Sequence, residues 1–159
     1  MQRYALIREV HHRIKNSLQG VAGLLRQHVG DKPLLRPLLE STSSQVYAIA
    51  AVHGLQGEAS GAAINLRMLV ARVAASVSGI MHEPIVLSER CASLGAYIVN
   101  EEESVAVAIV LNELMMNAAK HRAPGTGAIG IDAAPRDHGV ELRIRNAGFL
   151  PPNFGDPHA

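Results

Sequence analysis

Two apolar stripes at helical spacing, separated by a helix stop and a helix start, constrain the first third of this chain more than any other feature. Ile7, Val10, Ile14, Leu18, Val21, Leu25 and Val29 recur at intervals of three and four, the period that places side chains on one face of an α-helix. Gly20 and Gly23 weaken the helix predicted over 2–29 without interrupting its pattern. In Val29-Gly30-Asp31-Lys32-Pro33, the glycine suits a C-terminal cap, the aspartate an N-cap and the proline a first helical turn. Leu35, Leu38, Leu39, Thr42, Val46, Ile49 and Val52 form the second stripe and predict a helix over 33–55. Two helices joined by so short a turn lie antiparallel. Each stripe is too long for the pair to bury alone. A second copy of the hairpin is therefore expected, giving a homodimer built on a four-helix bundle.

Gly54, Gly57, Ser60 and Gly61 mark a boundary of small residues. They divide the chain into a helical hairpin, 1–57, and a second unit, 64–159. Within that unit, Leu66 to Val77 reads as an amphipathic helix and Pro84 to Leu87 as a short strand. Residues 94–99 fit either another strand or the lead-in to the next helix. Asn100 suits the N-cap of a helix running to about His121, with Glu101, Glu102 and Glu103 at its positive end. Ala128–Ala133 and Val140–Ile144 read as a β-hairpin turning at Pro135–Gly139. The fold class is α+β.

Composition narrows the function classes. The formal net charge is +1 with no basic run, so no nucleic-acid partner is expected. No segment has the unbroken apolar length of a membrane span, and no secretory leader is evident at the N-terminus. Cys91 is the single cysteine, which excludes an internal disulfide and fits a reducing compartment. The chain reads as cytoplasmic, compatible with being a piece of a larger anchored protein. The eight histidines include no His-x-x-x-His pair and there is no Cys-x-x-Cys, so a zinc site is not expected. Gly125-Thr126-Gly127 lacks the Gly-Lys-Ser/Thr of a phosphate-binding loop. Met115 and Met116 read as packing residues.

Two constellations carry chemistry. On the first helix, His12 has Arg8, Glu9, Lys15 and Asn16 three and four residues away, all polar. His11, with Ile7 and Ile14 at that spacing, sits at the edge of the apolar stripe. An exposed imidazole with one ring nitrogen hydrogen-bonded is a good nucleophile at the other, as a phosphoryl acceptor requires. Glu9 is placed to hold the second nitrogen, and Arg13 and Lys15 to balance an anion. A surface histidine among solvated charges fits the same spacing. On the helix from 100, Glu113, Asn117, Lys120 and His121 make one polar stripe on an otherwise apolar surface. Carboxylate and amide oxygens suit a divalent cation, and Lys and His suit phosphates, so a Mg-nucleotide fits this face. An ordinary solvated face fits it too.

Glu9-Val10-His11-His12-Arg13-Ile14-Lys15-Asn16-Ser17-Leu18-Gln19 resembles the phosphoacceptor box of bacterial two-component sensor histidine kinases, in the branch with an HRxKN signature close to the HWE kinases. Ala48 to Leu55 resembles the end of that branch's second dimerisation helix, and Leu111 to His121 its asparagine box. Asn146-Ala147-Gly148 falls where the family carries Asp-x-Gly. The resemblance runs over nearly the whole chain, in four segments of the right order. It implies a dimeric phosphotransfer hairpin followed by a partial α/β sandwich of the histidine-kinase ATPase type. It implies ATP and Mg2+ as substrate and cofactor, His12 as acceptor, Asn117 as magnesium ligand and Glu113 as support to the metal and its water. Lys120 and His121 would face the phosphates, while Asn146 and Gly148 would meet the nucleotide, Asn146 at the adenine amino group. The phosphoryl group would pass to an aspartate on a response-regulator receiver domain. The sequence departs from the family in carrying Asn146 for Asp, which accepts a hydrogen bond without charge. It also has no Trp and no glycine-rich second box, and reads as shortened at both ends. Those departures suit an alternative: a phosphotransfer or docking module, or a dimeric scaffold, with a degenerate ATPase unit.

Overall fold

The computed structural model describes residues 2–28, 33–58 and 63–148. Helix α1 spans Gln2–His28. A 3-10 turn, Pro33–Leu35, leads into α2, Arg36–Glu58. The Gly30-Asp31-Lys32 turn expected from the sequence lies outside the described residues, as do Ser60, Gly61 and the residues after Gly148. Arg8, His11 and His12 lie against Gly57, and Lys15 lies against Gly54. The chain thus ascends α1 as it descends α2, and the helices are antiparallel.

Helix α2 differs from its expected form in two respects. It continues past Leu55 to Glu58, so Gly54 and Gly57 are inside the helix and buried rather than in a linker. Each glycine costs a helix about 1 kcal/mol relative to alanine, but the missing side chains let α1 approach closely. The buried face also differs from the stripe of large residues. Ser43, Ser44, Ala48, Ala50, Val52 and Leu55 are buried, whereas Leu35 and Leu38 are exposed. The reason is that α2 has neighbours on two sides. It packs on α1 by its small residues and on the second unit by Ala48, Val52 and Leu55. The large residues near its start stay outside, as do Leu6, Ile7 and Val10 near the start of α1, at 66%, 48% and 46% exposure.

The second unit begins with β1, Ile64–Asn65, and α3, Leu66–Met81. Asn65 caps α3, its side-chain oxygen accepting from the Met68 amide at 3.3 Å. Strand β2, Ile85–Leu87, is followed by a 3-10 segment, Glu89–Ala96, and β3, Ile98–Val99. Residues 94–99 thus split between the end of that segment and a strand. Helix α4 spans Glu101–Lys120. Asn100 occupies its N-cap position, but its side chain makes no cap bond. The acidic first turn remains to complement the helix dipole. Strands β4, Ile129–Arg136, and β5, Gly139–Arg145, form a hairpin paired from Gly130↔Arg145 to Arg136↔Gly139.

The described strands make two small sheets. β1 pairs antiparallel with β3, and the other sheet has the order β2-β4-β5, with β2 and β4 parallel. Ile129, Ile131 and Ala133 alternate inward along β4. Ile131 and Ala133 meet Leu69, Val70, Val73 and Val77 of α3 and Leu111, Met115 and Met116 of α4 in one core, which Ala48, Val52 and Leu55 of α2 join. The architecture is α+β: a helical hairpin whose second helix is built into the core of a helix-and-sheet unit. No helix among the described residues is long and apolar enough to cross a membrane.

Candidate functional site

His12 sits on α1 opposite Gly57 of α2. Its ring is half-buried, and a Cβ placed on Gly57 would lie 3.5 Å from its Cδ2 and 3.4 Å from the Cβ of His11. A Cβ on Gly54 would lie 3.0 Å from Cδ of Lys15. The two glycines, one helical turn apart, therefore let α2 approach the very turn of α1 that carries His11, His12 and Lys15. A Cβ at Gly57 would make ordinary contact with both histidines, and a side chain longer than alanine would have to find room beside them.

Glu9, which spacing placed beside His12, is held by Arg13 instead, four residues on, with Nε donating to the carboxylate at 2.7 Å. That bond, and then the guanidinium charge, hold the Glu9 carboxyl below its ordinary range. No hydrogen bond joins Glu9 to His12 among the described residues. His11 has a partner that spacing did not indicate. Its Nδ1 lies 3.3 Å from Nδ1 of His53 on α2, and the ring centroids are 5.5 Å apart. The turn that carries His12 is thus tied to α2 through its neighbour His11.

The α4 stripe divides into two parts. Glu113 is engaged from α2: Nε2 of Gln45 donates to its carboxylate at 2.8 Å. Beside it, Ser44 Oγ donates to Oδ1 of the fully buried Asn112 at 2.7 Å. Asn117, Lys120 and His121 are exposed. They keep their side chains open to a ligand at the C-terminal end of α4, where the chain turns toward β4.

Residues 146–148 are brought to this end. Nδ2 of Asn146 donates to the Ala118 carbonyl at 2.8 Å. Because a carbonyl can only accept, this bond fixes the orientation of the amide and leaves Oδ1 as the free acceptor. Gly148 bridges Arg122, and a Cβ there would overlap the His121 carbonyl, so only glycine fits. The Ala123 amide donates to the Ala147 carbonyl at 2.8 Å. Arg122, unremarked in the sequence, organises the corner. It pairs with Glu83 and donates to the Thr126 carbonyl, and to the Gly127 carbonyl at 3.0 Å, which shapes the Gly-rich loop after α4. Its position directly after the polar stripe was visible, but its partner Glu83 lies across the sheet. On the flank of α4 facing β5, Val107, Val110, Leu111, Leu114, Leu142 and Ile144 line an apolar groove of about 590 Å³.

The fold thus gathers Asn117, Lys120, His121, Asn146 and Gly148 around one end of α4 and sets Glu113 against α2. His12 and Glu9 stand apart on α1, and no hydrogen bond or ion pair among the described residues joins them to the α4 group. No cluster of three or more His, Cys, Asp or Glu side chains that could hold a metal occurs among the described residues. A magnesium ion held jointly by protein and nucleotide needs fewer protein ligands. The exposed Asn117 amide is chemically suited to that role.

Residues 9–81 match the sequence model of a family described as histidine kinase. The matched region comprises α1 from Glu9, α2, β1 and α3. The sensor histidine kinase PdtaS of Mycobacterium tuberculosis H37Rv is 30% identical to this chain over 159 residues, covering 94% of the chain and 31% of the relative. PdtaS of Mycolicibacterium smegmatis is 33% identical over 122 residues, covering 74% of the chain and 24% of the relative. The chain therefore spans less than a third of the length of the curated relatives it matches. No solved structure matches it.

Proposed function

On the premise that this chain belongs to the two-component sensor histidine kinases, a membership carried by residues 9–81, we propose that it is a kinase core that phosphorylates itself on His12 and passes the phosphoryl group to an aspartate of a response regulator. The observation that carries the reading is the placement of His12. It is half-exposed on α1, ringed by polar residues and backed by Gly57 of α2. In the first step a neutral ring nitrogen of His12 attacks the γ-phosphorus of ATP. An N–P bond forms, the bond from phosphorus to the bridging oxygen breaks, ADP leaves, and the imidazole gives up its ring proton. In the second step a regulator carboxylate takes the phosphoryl group and restores the free histidine.

The α4 corner supports the nucleotide part. Lys120 and His121 offer cationic and hydrogen-bonding contacts to phosphates, and Asn146 Oδ1 offers an acceptor to an adenine amino group. Magnesium, held by Asn117 and the phosphates, would neutralise charge on the leaving group. Glu113 would serve this centre with the carboxylate oxygen that Gln45 leaves unbonded. The exposed Leu6, Ile7, Val10, Leu34 and Leu38 of the hairpin support a homodimer, since a second copy would cover them.

The test is acid-labile phosphate incorporation from Mg-ATP by the chain and by its His12→Ala variant. Label that disappears in the variant is expected; equal label in both would overturn the assignment of His12. Asn146, neutral where the resembled family carries Asp, favours a second reading as a phosphotransfer module without nucleotide. In that case a phosphorylated regulator, and not ATP, labels His12.

A further inference from the structure

His11 and His53 meet in a particular way. The centroid separation of 5.5 Å exceeds the Nδ1–Nδ1 gap of 3.3 Å by about two ring radii, and the ring planes differ by 27°. The rings therefore approach edge to edge, each presenting Nδ1 to the other. That geometry suits a single proton held between two nitrogens. A shared metal ion would need the two lone pairs to converge from an angle, with a metal–nitrogen distance of about 2 Å on each side. With one proton between them, one imidazole donates and the other accepts, and the pair ties α1 to α2. With a proton on each Nδ1, two donors face each other and the tie is lost.

A second feature lies beside the pair. Gln56 is only 8% exposed, and its Oε1 is buried without a hydrogen-bond partner. It lies near enough to His53 to favour that ring's charged form. A protonated His53 would offer that acceptor a donor. Charged or titratable groups near the pair include Arg8, His12 and Lys15 on α1 and Glu101 at the start of α4.

We propose that His53 is a positioning residue for the acceptor turn: its Nδ1 bond to His11 is a brace between α1 and α2 that holds His12 against Gly57 and opens when both imidazoles are protonated. The proposal rests on the reading of His12 as acceptor. Burial, and then the neighbouring His11, lower the proton affinity of His53, while Gln56 and Glu101 act in the opposite sense. A depressed histidine is neutral in the closed form. The brace is thus intact above the ordinary histidine value of about 6.5 and is lost as pH falls below it.

The experiment has two arms on the whole chain. In the first, the imidazole nitrogens of parent, His53→Gln and His11→Gln proteins are followed by NMR through acid titration. In the second, the rate of His12 labelling is measured across the same range. An imidazole nucleophile attacks only when neutral, so one ionisation on the acid limb belongs to His12 in every protein. The parent is expected to add a second, from the brace. The slope of log rate against pH falls from about two in the parent to about one in either variant. In the NMR arm, His11 is expected to change its titration when His53 becomes Gln. A uniform loss of rate with unchanged slope would mean that His53 only supports the fold, and would overturn the proposal. So would a His11 titration indifferent to His53→Gln. Absence of label in the parent would sink the acceptor reading instead, and the NMR arm would still decide whether the brace exists.

Discussion

Ser44 and Asn112 offer the sharpest energetic test of how the hairpin is joined to the second unit. Both are fully buried, and their bond at 2.7 Å crosses between α2 and α4. Asn112 Nδ2 has no partner, so this amide is already half unsatisfied. Ser44→Ala strips the remaining partner from Oδ1 and should cost about 1–3 kcal/mol, the desolvation penalty of a buried group left unpaired. Asn112→Leu orphans the Ser44 hydroxyl but removes the unsatisfied Nδ2 and adds apolar contact to Leu111 and Met115. Its cost should be smaller. The double variant Ser44→Ala/Asn112→Leu leaves no orphan at this point and should recover most of the loss, because replacing both partners by apolar groups is nearly neutral. The measurement is urea unfolding followed by far-UV circular dichroism, at one fixed protein concentration so that any association is held constant. A coupling energy of about 1–3 kcal/mol is expected from the cycle. If Ser44→Ala lies within about 0.5 kcal/mol of the parent, or the double variant falls at the sum of the singles, the bond does not join the two units energetically.

Two further outcomes follow from the geometry. Gly148→Ala forces a Cβ into the His121 carbonyl and should lower stability by roughly 1–3 kcal/mol, as overpacking does; a thermal midpoint equal to the parent's would contradict the close approach. Asp132 accepts bonds from Arg90 and from Ser88, the latter at 2.7 Å, which hold its carboxyl far below the ordinary range. A depressed carboxyl stabilises the fold above its unfolded value of about 3.9 and loses that contribution as pH falls below it. Asp132→Asn should therefore flatten the acid limb of stability against pH, and an unchanged limb would assign acid sensitivity elsewhere.

What the sequence made legible was local. The stripe through Ile7, Ile14 and Leu18 announced α1, and the polar surroundings of His12 singled out one histidine of two. The stripe on α4 marked Asn117, Lys120 and His121, which the fold leaves exposed together. The contacts that needed tertiary structure are those between distant residues: His11 with His53, Ser44 with Asn112, Gln45 with Glu113, Glu83 with Arg122. Spacing along one helix carries no information about a partner on another. The partner of Glu9 was within reach of the same rule that proposed His12, since Arg13 stands at i+4 and is the stronger hydrogen-bond donor to a carboxylate. The buried face of α2 misled because Leu35 and Leu38, which head the apolar stripe, lie at and just before its first turn and stay exposed. Its glycines and serines lie where neighbours press from both sides.

That double engagement makes α2 the mechanical link of the molecule. Its C-terminal half holds the His11–His12 turn of α1 through His53, Gly54 and Gly57, and its middle holds α4 through Ser44, Gln45 and the apolar Ala48 and Val52. Ser44 and His53 are nine residues apart, about 13 Å along a helix, so the two sets of contacts sit on one rigid rod. A shift of α2 that kept its bonds to α4 would strain the bond between His53 and His11, and one that kept the latter would pull Gln45 from Glu113. The α2–α4 contact is also imperfectly satisfied, with Asn112 Nδ2 orphaned. Such groups lower the cost of separation, because they regain hydrogen bonds to water when the surfaces part. Glu113, the carboxylate of the α4 stripe, is thus held by the same helix that positions His12, through a contact that part of its own polar surface disfavours.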